Sequence, residues 1–400
     1  MKKLFFIILS LIPFLNLSWG QEIDIVERSF NSNIVETVEG PFLRAGAHQF
    51  SGLWVRDFCY SIEGLLNLGR EDVVKNQLIA FIQNRRPSDN LIPRLLDNVP
   101  SARRVLRGMF PWLGKVPPLE PPFQAEYTGE HKTIAIDSNI LILRGLLLYI
   151  EKTDDKDFPF SLEQIFTELL AFYDNKFESG FIVQEAFGDW QDSVKRTGIT
   201  FLTNFHYWWV LKKATQLNLI HRDPSEIYAF KKRLQTLFQD KDSGLYKTHK
   251  NINVISLDGN ALALNEIDFW DSSAKRQEFY QAFKRSLFHQ YPGMASYPDY
   301  PRSWRSLNVK MAGLSHYHDR LAWSWLIGLQ GIVALKMGDL AEANRIKNLI
   351  QKIVQRDGLV TEVYKTHKDY KLFRNLVYKS ESPFSWGSSY VFLFLNSFGN

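Results

Sequence analysis

Acidic side chains stand beside tryptophan, glycine or proline at four places in this 400-residue sequence, where solubility alone does not account for a charge. The first is Trp54-Val-Arg56-Asp57-Phe58. An Arg and an Asp among large rings are costly to bury unless paired with each other or with a ligand. The second is Gly188-Asp189-Trp190-Gln191-Asp192-Ser193, two acids flanking a ring in a turn. An acid held against Trp190 can have its pKa raised enough to donate a proton; the plainer alternative is an Asp capping the next helix. The third is His316-Tyr317-His318-Asp319-Arg320, followed by Trp323-Ser324-Trp325. Histidines at i and i+2 do not share a helix face, so they suit hydrogen bonds to hydroxyl groups better than metal ligation. Trp323 or Trp325 then offers a stacking platform. The fourth is Glu362-Val-Tyr364 and, after a polar loop, Glu381-Ser-Pro-Phe384-Ser-Trp386-Gly387.

Cleaving a glycosidic bond takes one carboxylic acid to protonate the leaving oxygen and a second carboxylate acting on the opposite face. Most of the 43 acids read as solvated helix faces. The four clusters leave Asp189 and Asp192 as candidates for the donor, and Glu362 and Glu381 as candidates for the second carboxylate.

Such groups need a frame, and the apolar spacing is helical nearly throughout. Leu53 to Leu68 ends at Gly69, a C-cap residue, and Asp72 to Ile82 follows. The i, i+3, i+4 pattern predicts helices over Ser138–Ile150, Ser161–Tyr173, Thr203–Leu217, Pro224–Phe238, Asn260–Trp270 and Ser273–Phe288. Asp319–Met337, Leu340–Val354 (with Asp339 as N-cap) and Phe384–Phe398 complete the series. No βαβ rhythm is present, and strand content is expected to be minor, near Gln21 to Val38. Eleven or twelve helices in antiparallel-looking pairs predict an all-α ring or bundle. One stretch breaks the pattern. Eight prolines between Arg86 and His131 mark a long loop, read as an excursion over one end of the fold.

Composition narrows the function classes. The formal charge is +5, but 46 basic residues against 43 acidic ones remain without Lys2 and Lys3, and they are interspersed. Arg103, Arg104 and Arg107 lack a nucleic-acid reading motif beside them, so no nucleic-acid partner is expected. Aromatic residues reach 14%, much of it core, some of it suited to sugar faces. Lys2 and Lys3, the apolar Leu4–Leu17 and the small Ser18 and Gly20 lay out a secretory signal peptide over 1–20. That predicts a periplasmic or secreted chain of 380 residues, 21–400, forming a single domain. No stretch is long and apolar enough for a stable membrane span. The lone Cys59 sits in an apolar run and forms no intrachain disulfide.

Taken in order, these segments resemble the six-hairpin glycosidases, whose domain is an (α/α)6 barrel of about twelve helices. Similar families are the amylo-α-1,6-glucosidase domain of glycogen debranching enzymes, the processing α-glucosidases and the alkaline/neutral invertases. The matching segments are Trp54-x-Arg56-Asp57, Asp137-Ser-Asn139, Trp190-Gln-Asp192, Leu257-Asp-Gly-Asn260, Tyr317-His318…Trp323-Ser-Trp325, and Glu362-Val-Tyr364 with Phe384-Ser-Trp386-Gly387. The resemblance implies an inverting hydrolase of an α-linked glycoside, first of all an α-glucoside. Asp192 would be its general acid and Glu362 its base, with Asp189 and Glu381 as second choices. It implies sugar contacts from Trp54, Arg56, Asp57, Asp137, Trp190, His318, Trp323 and Trp386. Neither metal nor cofactor is implied. Asp319, Arg320 and Ser324 depart from the family pattern and put the sugar subsite in question.

Two other classes stay open. A polysaccharide lyase or sugar isomerase on the same ring would use Tyr317, His318 and Arg320, and a non-catalytic carbohydrate-binding protein would keep only the aromatic platforms.

Overall fold

The computed structural model describes residues 21–398 except 111, 112, 114, 116 and 130; the leader expected over 1–20 lies outside them. In chain order the helices are α1 (21–31), α2 (Val55–Asn67), α3 (Glu71–Gln83), α4 (Ser101–Met109) and α5 (Ser138–Thr153). Next come α6 (Leu162–Ala171), α7 (Phe201–Gln216), α8 (Pro224–Phe238), α9 (Leu257–Asn265) and α10 (Ser273–Lys284). The last are α11 (Leu287–Gln290), α12 (Leu307–Met311), α13 (Ser324–Lys336), α14 (Leu340–Asp357) and α15 (Ser385–Asn396).

Six of these close a ring: α2 touches α5, then α7, α9, α13 and α15 follow, and α15 returns to α2. Outer helices α3, α6, α8, α10 and α14 back the first five inner ones. Helix α1 backs α15, where Ile25 and Val26 pack in one cluster with Ile350, Val391 and Leu395. Twelve helices thus form the expected (α/α)6 barrel, with α4, α11 and α12 in its connections.

The sequence distinguishes the two layers. Inner α15, from Ser385 to Leu395, is buried all round, as a helix walled on every side must be. Outer α14 buries Ala343, Ile346, Ile350 and Val354 and leaves its other faces polar. Inner helices also approach closely where glycine allows it. A Cβ on Gly328 would lie 2.5 Å from the Tyr390 backbone, and one on Gly387 would collide with Ser324. The tightest inner contact, α13 against α15, therefore depends on glycine.

Each inner helix begins at the same end of the ring, mostly straight out of a short strand. The strands form five small antiparallel sheets. Asparagines lock these junctions. Asn204 accepts from Ile182 N (2.8 Å) and donates back to Ile182 O (3.0 Å). Asn260 does the same to Tyr246, and Asn139 accepts from Ile92 N (2.8 Å) while donating to Asn90 O and Leu169 O. Each amide satisfies backbone groups that would otherwise be buried without partners.

Three expectations change. The segment from Gln21 is a helix to residue 31, and strand begins only at Ile34–Thr37, paired with Gly40–Leu43. Helix α13 starts at Ser324 rather than Asp319, because Leu321–Trp323 is taken up in pairing with Val363–Lys365. The proline-rich excursion is not structureless. It contains Leu95–Asp97, which pairs with Leu53–Trp54 and Gln124–Glu126, and it contains α4. A buried ion pair, Asp97 with Arg104, fastens α4 to the barrel, and Arg104 also donates to Ser51 Oγ and Pro117 O.

Candidate active site

The inner-helix N-termini surround a cavity of about 460 Å³. The connections before five of the six inner helices feed it, and partial positive charge from the helix ends favours carboxylates there. From α2 come Trp54, Arg56 and Asp57; from the loop before α7, Trp190, Asp192 and Ser193; from the α13 side, Tyr317, His318 and Trp323; from the α15 side, Glu362, Tyr378 and Trp386. The excursion adds Arg94, Val105, Glu126 and His131 to the wall.

Arg56 organises one side. Its Nε and Nη2 donate to Asp137 (2.9 and 3.0 Å), Nη2 also to Gly188 O (3.0 Å), and Nη1 reaches Asp192 Oδ2 at 3.4 Å. Asp192 lines the cavity and is 51% exposed, with one oxygen beside the Arg56 guanidinium. Asp57 does not pair with Arg56 as an isolated ion pair. Burial first, then the nearby Glu362 carboxylate, push its pKa up to about 8.

Glu362 lines the same cavity, buried, with both oxygens occupied. Tyr317 OH donates to Oε1, and Tyr378 OH (2.6 Å) and Glu381 N (3.1 Å) donate to Oε2. Burial raises its pKa to about 7, against the pull of the two tyrosines. A carboxylate fixed this way can take a proton from water near neutral pH.

Between them lies an aromatic floor. Trp190 meets His318, Trp323, Trp325 and Trp386 edge-on at 4.9–5.7 Å. Trp386 is stacked on Tyr60 (4.3 Å) and Trp325 (4.4 Å), and His318 lies flat on Trp323 (5.3 Å). Burial keeps His318 neutral by pushing its pKa well below the usual range, and its Nδ1 shares a proton with Ser193 Oγ at 2.6 Å. His318 Nε2, Trp54 Nε1 and Trp386 Nε1 are buried at the cavity wall without hydrogen-bond partners in the protein. Such groups are costly unless a ligand satisfies them.

With this geometry in view, the chain was compared with known proteins. No family model matches it, and no curated protein does. Solved structures do. A rhamnosidase from Klebsiella oxytoca with rhamnose bound superposes with TM-score 0.62 at 13% identity over 96% of this chain. The match spans 64% of the rhamnosidase's length. A GH63 mannosylglycerate hydrolase from Thermus thermophilus in complex with glucose gives 0.60 at 12% identity, covering 95% of this chain and 99% of that one. An α-mannosidase of Streptococcus pneumoniae with α-1,6-mannobiose gives 0.57 at 13% identity, over 96% and 94%. This chain has the six-hairpin glycosidase fold.

Within that fold the sequence-predicted residues separate into two groups. Asp192, Glu362, Trp54, Arg56, Asp57, Trp190, His318, Trp323 and Trp386 all reach the six-hairpin cavity. Asp137 lies behind it, holding Arg56. Both second choices serve structure instead. Asp189 is buried in an ion pair with Arg196 and accepts from Gln184 Nε2 (2.8 Å) and Gln191 N (3.1 Å). Glu381 accepts from His48 N (2.9 Å) and Phe50 N (3.0 Å), which folds that loop toward the site. Neither is part of the cavity wall. Trp325 is buried behind Trp386 and is not a platform.

The departures from the family pattern also find a place. Asp319 pairs with buried Arg305, and Arg320 pairs with Asp299 (2.6 Å) away from the cavity. Among the described residues Asp299, His316 and Asp319 could group around a cation, but both arginines already neutralise these carboxylates. Tyr378 was missed from sequence. It sits in a basic loop with no ring or acid beside it to mark it, and only the fold brings it to Glu362.

Proposed function

We propose that the protein is an exported glycoside hydrolase acting on an α-linked glycoside with inversion, Asp192 protonating the leaving oxygen and Glu362 deprotonating the attacking water. One observation carries this reading: one aromatic-lined cavity holds both an acid beside an Arg and a carboxylate fixed by two tyrosine hydroxyls. The unpartnered Trp54 and Trp386 N–H groups and His318 Nε2 support it, since sugar hydroxyls can both donate and accept. Rhamnose, glucose and mannobiose in the similar structures support a sugar ligand. The basic, then apolar, then small-residue pattern of the first 20 residues supports export.

A lyase would need a cation on an acidic sugar, and Arg320, its sequence candidate, is held by Asp299 outside the cavity. The hydrolase is therefore preferred.

The deciding experiment is an NMR product screen with α- and β-linked oligosaccharides, α-glucosides first. Release of a reducing sugar with inverted anomeric configuration, lost in Asp192→Asn, is the expected result. Binding without turnover in both proteins would leave a carbohydrate-binding protein.

The pH profile adds a second test. Glu362 must be ionised to act as base, so kcat/KM should rise with pH through about 7. Tyr378→Phe removes a hydrogen bond that favours the charged form, so this limb should move up by about one pH unit. A limb that stays put would separate Glu362 from the base role.

A further inference from the structure

The connection between Glu362 and α15 carries a surface feature that the cavity does not use. From Lys371 to Ser380 the chain has Lys371, Arg374 and Lys379 and no acid; from Arg302 to Leu314 it has Arg302, Arg305 and Lys310 and no acid. Arg374 and Lys379 face each other across an isolated bridge. Beyond it the turn ends in Leu376, wholly exposed, and Val377. Asn375 Nδ2 donates to Ala312 O (2.8 Å), seating this turn against the end of α12. Directly before Ala312 is Met311. Met311 and Leu307, one helical turn apart, are 67% and 68% exposed. The opposite face of α12 presents Val309 to the cavity.

Single exposed aliphatic side chains need no explanation. Two exposed aliphatic pairs joined through the Asn375–Ala312 contact, in segments that also expose Arg302, Lys310, Lys371, Arg374 and Lys379 while Arg305 is taken by Asp319, have the composition of an interfacial anchor. Basic residues near a surface are drawn to anionic headgroups, and aliphatic side chains gain by leaving water for the acyl boundary. A soluble polyanion would engage the basic residues and leave the aliphatic tips in water.

We propose that this patch seats the protein on an anionic lipid surface. Leu376, Val377, Met311 and Leu307 enter the headgroup region, and Lys310, Arg374 and Lys379 face the lipid phosphates. The seat borders the cavity, because Val309 lies on the inner side of α12 and Tyr378 directly follows Val377. Attachment is peripheral: among the described residues no helix is long and apolar enough to cross a membrane.

The test is vesicle co-sedimentation of the chain from Gln21 onward, which contains all twelve barrel helices. Vesicles of phosphatidylcholine alone are compared with vesicles containing phosphatidylglycerol. Binding to the anionic vesicles should be at least about tenfold tighter, and it should weaken by a similar factor both in Leu376→Asp/Met311→Asp and in Arg374→Glu/Lys379→Glu. Circular dichroism and glycosidase activity on a soluble substrate check that each variant is folded. Absence of binding to anionic vesicles overturns the proposal. So does binding to anionic vesicles that Leu376→Asp/Met311→Asp leaves unchanged, since that makes the patch a polyanion site.

Discussion

Glu362→Gln is expected to lower kcat by about 10²–10⁴-fold while sugar binding stays within a few-fold of wild type. Glutamine keeps the volume and can still accept from Tyr317 or Tyr378, so the cavity wall should hold its shape. What it lacks is a basic oxygen. The carboxylate is buried beside the cavity with a pKa near 7, high enough to accept a proton from water and low enough to be ionised at neutral pH. Single-turnover rates and sugar titration calorimetry separate the two quantities. More than about a tenth of wild-type turnover would move the base elsewhere. Two other carboxylates line the cavity besides Asp192: Glu126 is held by Ser101 N and Oγ, and Asp57, at a pKa of about 8, is largely protonated at neutral pH and therefore the weaker base.

The second large effect concerns stability. Arg104→Met should destabilise the protein by about 3–5 kcal/mol, because it leaves the Asp97 carboxylate buried and short of a counter-charge. Among the described residues, Asp97 accepts from Val99 N (3.2 Å) and otherwise from Arg104 alone. Gly52 passes so close that a Cβ there would lie 2.7 Å from the Asp97 oxygen, so the carboxylate has no room to turn away. The double variant Asp97→Leu/Arg104→Met should recover much of the loss by removing both charges. Denaturant unfolding of the set measures this. Equal stability of Arg104→Met and wild type would mean that α4 is not fastened by this pair.

The barrel was legible in the sequence because its signal is repetitive. Pro224–Phe238 matches α8 at both ends, and Asp339 caps α14 by accepting from Glu342 N, as its position suggested. The misreadings fall where a short segment is decided by distant partners. Asp189 and Asp192 look alike from sequence, each one or two residues from Trp190. Only the fold shows that Arg196 takes the first and Arg56 the second. Glu381 carries the same acidic-before-aromatic signature as Glu362, but its oxygens face the His48–Phe50 backbone. The residues from Gln21 suggest extended chain locally, but they form a helix whose Ile25 and Val26 pack against the far end of the chain and whose Phe30 lies against Gly64 of α2.

That pairing has a consequence for timing. Ser29 and Ser388, 359 positions apart, meet through their hydroxyls, and Asn33 donates to Ser385 Oγ at 2.9 Å. The ring's last hairpin is made from its first and last helices, so synthesis must finish before the circle can close. Contacts of such separation form slowly, and the half-made chain keeps its inner helices unsealed while it waits. The barrel's own connectivity thereby delays its sealing until the two ends of the chain have met.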